Sequence, residues 1–87
     1  AEGEVRGTVK HFNTDAMLIV VETEIYIDGK RQVIDKVVFY DDDTLFIEGR
    51  DTIKPRYLER YLEPGDTVTV FGKYQVDGTF LAELVKW

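Results

Sequence analysis

A small five-stranded β-barrel, all-β apart from one short helix, is the fold this sequence predicts. Three observations carry it. Five segments alternate apolar and polar side chains at the period of a strand. Short turn signals punctuate them, including Asp28-Gly29 and Asp77-Gly78, which tolerate the positive φ of tight hairpins. Helical spacing shows at one place, between the third and fourth segments, at Ile53, Tyr57, Leu58, Tyr61 and Leu62.

Taken in order, Glu4–Phe12 places Val5, Gly7, Val9 and His11 on one side and Arg6, Thr8, Lys10 and Phe12 on the other. Gly7 inside the run predicts a sharp bend or bulge. Asn13-Thr14-Asp15 supplies turn chemistry. Met17–Asp28 forms the second strand, with Met17, Ile19, Val21, Thr23, Ile25 and Ile27 as the core side. Its other side carries Leu18, Val20, Glu22, Glu24 and Tyr26. Arg31–Tyr40 returns as the third strand, with Val33, Val37 and Phe39 set against Ile34, Lys36, Val38 and Tyr40.

Asp41-Asp42-Asp43 breaks that strand, and Thr44–Glu48 reads as a short strand or an extended connection. Gly49–Thr52 reads as loop. A helix then spans about Pro55–Leu62, because proline fits only the first turn of a helix and Pro64-Gly65 ends it. Two or three turns are unstable alone, so Tyr57, Leu58, Tyr61 and Leu62 are expected to plug a barrel end. Thr67–Tyr74 and Thr79–Trp87 form a closing hairpin, with Val68, Val70, Gly72, Tyr74 and Val76 on one face of the first of these strands.

The order strand, strand, strand, short helix, strand, strand resembles the OB-fold, a closed or partly open five-stranded barrel with its helix between the third and fourth strands. The resemblance covers nearly the whole chain, and the length, with no internal boundary visible, makes residues 1–87 one domain. Within that fold, GDTVTVFGKYQVDGTFLAELV is similar to the corresponding stretch of the periplasmic haem chaperones of cytochrome c maturation. The similarity rests on Gly65, Val70, Gly72, Asp77-Gly78, Phe80, Ala82 and Val85. That family attaches haem through a histidine just beyond the barrel. The sequence here runs to Trp87 without one, so the resemblance implies no haem and no cofactor.

Composition narrows the function. A chain of 87 residues buries roughly 60–65% of its unfolded surface, enough for one small core. With no cysteine, disulfides, thiolate metal sites and cysteine nucleophiles are excluded. No apolar run approaches the ~18 residues of a membrane span. Serine is absent, and one Asn and two Gln stand against 32% charged residues. That bias matches thermophilic proteins and designed scaffolds. Net charge is −6, opposite in sign to the field a phosphate backbone requires.

No catalytic or metal constellation appears. His11 is the single histidine and has no serine or cysteine to activate, so an ordinary strand histidine is the better account. Asp41–Asp43 lacks the alternating acids and following glycine of a cation loop and reads as a solvated turn. Glu22 and Glu24 are explained by cross-strand pairing with a residue such as Lys36. The sequence therefore predicts a binding module and no enzyme.

The expected ligand face is the outer face of strands two and three. It comprises Leu18, Val20, Tyr26, Ile34, Val38 and Tyr40, with Phe71 from strand four and Arg31, Lys36 and Lys73 as cationic partners. An apolar, tyrosine-bearing face on an acidic protein favours a protein or peptide partner. Single-stranded nucleic acid or oligosaccharide is the alternative, with Tyr26 and Tyr40 as stacking platforms. A designed barrel without a natural ligand is the third reading.

Overall fold

The computed structural model describes residues 1–87 and contains seven strands and one short 3₁₀ turn. They are β1 (Glu2–Asn13), β2 (Leu18–Ile27), β3 (Lys30–Phe39), β4 (Leu45–Glu48), β5 (Asp51–Ile53), the turn Pro55–Arg60, β6 (Thr67–Tyr74) and β7 (Phe80–Lys86). The five expected strands are β1, β2, β3, β6 and β7. The count of five falls short because Gly49-Arg50, read from the sequence as part of a loop, closes a second tight hairpin. Gly49 has φ 57° there, and Glu48 pairs with Asp51. No helix is long and apolar enough to cross a membrane.

The sheet order is β3-β2-β1-β6-β7-β4-β5, and β3 meets β7 again in parallel at Val38↔Phe80 and Phe39↔Leu81. That pairing curls the sheet almost shut into a barrel. Two glycines allow the tight curl. A Cβ on Gly7 would lie 2.0 Å from the Glu22 carbonyl oxygen, and one on Gly72 would lie 2.2 Å from that of Leu81. Only glycine lets backbones approach so closely.

β1 serves two neighbours in turn. Its first half, Glu2–Thr8, pairs with β6, and Thr8–Asn13 pairs with β2. A bulge between Val9 and His11 shifts the register and inverts the phase. Val9 and Phe12 therefore both turn to the core, while His11 points to solvent. Strict alternation along the sequence puts His11 with Val9 and Phe12 opposite, and the bulge overturns that expectation.

β7 is flanked along one edge by β3 and then, further on, by β4 through Leu45↔Leu84, Phe46↔Val85 and Ile47↔Lys86. Between them the backbone leaves the sheet at Asp41–Asp43. There the Thr44 hydroxyl donates to the Ala82 carbonyl at 2.8 Å, standing in for the missing ladder bond. The Asp41 carboxylate accepts from the Asp43 N–H at 3.0 Å. The aspartates thus form a local turn.

The core runs through Val5, Val9, Ile19, Val21, Val38, Phe46, Val68, Val70, Phe80 and Val85. At one barrel end Leu58 and Leu62 complete it, both buried, with Tyr57 packed against them. Tyr61, expected in the same plug, is 41% exposed. The expected α-helix is instead a six-residue 3₁₀ turn. Lys54 at its N-cap offers no side-chain acceptor, and so short a segment gains little from α-type bonding.

Candidate binding face

Where the predicted face lies depends on how β2 meets β3. Asp28 and Gly29 both have positive φ, 51° and 77°, as a two-residue hairpin turn requires. Such a turn pairs Ile27 with Lys30 and every odd residue of β2 with an even residue of β3, as in Ile19↔Val38 and Thr23↔Ile34. The core side of β2 therefore continues as Ile34, Lys36, Val38 and Tyr40. These four, placed outside by the sequence, belong to the inner face.

Their burial agrees. Val38 is 0% exposed and Tyr40 4%. The Tyr40 ring meets Phe46 edge-on at 5.2 Å, and its hydroxyl is buried without a hydrogen-bond partner. Burial, and secondarily the Glu59 carboxylate, raises its pKa. Tyr40 is no stacking platform. Lys36 is half-buried at the open barrel end, its ammonium 4.6 Å from the centre of the Tyr74 ring. It lies on the opposite face of the sheet from Glu22 and Glu24.

Phe71 and Lys73 do face outward, but on the far side of β1. They pair with Glu4 and Glu2 of β1, and Lys73 approaches Glu83 at 4.0 Å. Of the ten predicted residues, the structure brings together Leu18, Val20, Tyr26 and Arg31. The residues missed are Val33, Val37 and Phe39, which share that outer face through Glu24↔Val33, Val20↔Val37 and Leu18↔Phe39. The Asp28-Gly29 turn carried the signal: its two-residue length fixes which side of β3 is outside. β3 alone is apolar on both sides and does not reveal it.

The outer face is graded. Near the barrel, Leu18, Val20 and Phe39 are at least half-buried, and at the tip Tyr26 is 68% and Val33 50% exposed. A charged row crosses between them. Lys10 donates to Asp35 at 3.0 Å and lies 3.8 Å from Glu22, and Arg31 donates to Glu24 at 2.5 Å. The bond from Arg31 holds the Glu24 carboxyl below the ordinary range, and its partner's carboxylate raises Arg31 in turn.

The tip projects as a free ribbon. β2 pairs with β1 only as far as Glu22, so Thr23–Ile27 has no strand on that side. The Thr23 hydroxyl donates to the Arg6 carbonyl where the two strands part. Beyond this point they diverge and leave an open groove of ≈ 610 Å³. Glu4, Arg6 and Thr8 line one side, Glu22, Glu24, Tyr26, Arg31 and Val33 the other. No three acidic or imidazole side chains converge into a metal-binding group.

Residues 6–86 match DUF5666, described as a domain of unknown function. The chain belongs to this family. Among solved structures it is similar to one titled "Crystal structure of Ag(I)CusF", with a TM-score of 0.70 and 13% identity over 99% of this chain and 96% of that one. At that identity the shared property is the fold. None of the curated proteins compared matches the sequence.

Proposed function

We propose that this DUF5666 domain is a non-enzymatic binding module on an OB-type barrel, taking an extended protein or peptide segment along the β2–β3 ribbon. One observation supports it above the others. The groove between β1 and β2 has an unpaired strand edge on each side and exposed Tyr26 and Val33 beside it. Extended peptides bind such edges through main-chain bonds, and flanking side chains select the sequence. An aromatic anchor beside a polar wall is also what protein interfaces favour.

The Ag(I) of the similar structure does not transfer. Soft cations select thiolate and thioether ligands, and this chain has no Cys, one Met and one His. Met17 packs against the core, whereas His11 sits exposed on the outer face. No thiolate and no second thioether completes a soft-cation site.

The test is selection of a displayed random-peptide library on the domain, with hits mapped by amide chemical shifts. Perturbation centred on Glu4–Thr8 and Glu22–Tyr26, with a ≥ 10-fold loss in Tyr26→Ala, is expected for an interface anchor worth ~1–2 kcal/mol. Hits mapping elsewhere sink the reading. So does micromolar binding of single-stranded oligonucleotides that weakens steeply with salt, since at net charge −6 nothing tighter than ~100 µM is expected.

A further inference from the structure

The other edge of the ribbon has no explanation in the monomer. β3 touches β7 only through Val38 and Phe39, so Lys30–Val37 has β2 on one side and no strand on the other. The ladder phase says which groups are left open. Tyr40 donates its N–H to the Met17 carbonyl at 3.0 Å, so even-numbered β3 residues bond to β2. In an antiparallel ladder the intervening residues turn their N–H and C=O away. Arg31, Val33, Asp35 and Val37 therefore present free backbone groups at the edge.

Natural edges of this length are guarded by proline, bulges or outstanding lysines. This one has no proline, and its register with β2 is unbroken. Lys36 is turned inward over Tyr74, and Arg31 lies along Glu24. Val33 and Val37 stay 50% and 42% exposed.

We infer that a second copy of this chain docks antiparallel against this edge, on a two-fold axis through Val33. The sequence of the edge is self-complementary in that register and in no other that keeps the open groups facing. Val33 meets Val33 of the other copy, Arg31 meets its Asp35, and Asp35 meets its Arg31. Two opposite-charge cross-strand pairs then flank an apolar one, each favourable on a sheet. The salt-bridged row Lys10–Asp35 extends into the Arg31–Glu24 pair of the other copy. The opposing cost is Lys30 facing Lys36, reduced by the inward turn of the latter.

One strand pair buries well under the ~800 Å² per partner of a standard interface. The dimer is therefore reversible, with Kd on the order of 10–1000 µM. It uses the edge opposite to the peptide groove and does not depend on that reading.

Charge reversal tests it. Sedimentation velocity from micromolar to millimolar protein should show self-association of the unmodified chain. Arg31→Asp and Asp35→Arg each set like charges opposite and should weaken it by ~10-fold. An equimolar mixture of the two should recover it. The first variant is acidic at both positions and the second basic at both, so each pair across the axis again joins opposite charges. Val33→Pro should abolish association while the fold survives, since its N–H points away from β2. Far-UV circular dichroism and amide spectra check folding, and shifts at Asp35 and Val37, which do not line the groove, separate this edge from it. A chain that is monomeric throughout overturns the inference. So does a mixture of folded variants that associates no better than either alone, or association that Val33→Pro leaves intact.

Discussion

The plugged end of the barrel and the β2–β3 ribbon are made from similar residues and put to opposite use. At the plug, Leu58 and Leu62 are closed in by the core although the backbone there forms only a 3₁₀ turn, Pro55–Arg60, and the residues just after it. In the ribbon, a regular ladder from Leu18↔Phe39 to Ile27↔Lys30 leaves Tyr26, Val33 and Val37 in solvent. Poor local structure coincides with strong packing in one, and good local structure with weak packing in the other. Regularity of the backbone is thus no guide to where stability resides. Burial decides it, at about 25 cal/mol per Å² of apolar surface. The ribbon, freed from the core, is the part available to a partner.

Substitutions should break that contrast in a definite order. Leu58→Ala at the plug should cost ~2–5 kcal/mol in denaturant unfolding, because it opens a cavity in a full core. Gly72→Ala should follow at ~1–3 kcal/mol, since its Cβ would meet the Leu81 carbonyl and the β6–β7 pair must shift. A loss below about 0.5 kcal/mol in either would mean that the barrel wall is slack.

The ribbon should respond weakly. Val37→Thr on its outer face should stay within ~0.5 kcal/mol. Beside the ribbon, in the core against Phe46, Tyr40→Phe removes a buried hydroxyl that has no partner and should be neutral or stabilising by up to ~1 kcal/mol. A clear destabilisation would show that the hydroxyl has a partner after all.

The smallest effect is electrostatic. Glu24 has a folded pKa below its unfolded one, so its contribution is present above the unfolded value and lost as pH falls through the folded value. Both groups of the pair are exposed, and salt should mute it. A carboxyl-carbon titration should find Glu24 below the ordinary range and Arg31→Gln should return it upward. No change in Arg31→Gln would assign the shift to another source.

The order of the main strands, the hairpin turns at Asp28-Gly29 and Asp77-Gly78, and the core side of β2 were determined by the sequence itself. Period-two alternation and positive-φ turn residues are local properties, and each is written within a few positions. The inner and outer faces of β3 were not, because Val33, Val37 and Phe39 compete with Ile34, Val38 and Tyr40 on nearly equal terms. The turn length resolves that ambiguity only through the register it imposes on β2. The Val9–His11 bulge and the Gly49-Arg50 hairpin emerge only in the pairing of β1 with β2 and of β4 with β5. The free edges of the ribbon exist because β1 pairs with β2 only as far as Glu22 and β3 reaches β7 only at Val38 and Phe39. Those are properties of strands meeting across the whole chain. No window of the sequence contains them, and so the site was half visible where the fold was nearly complete.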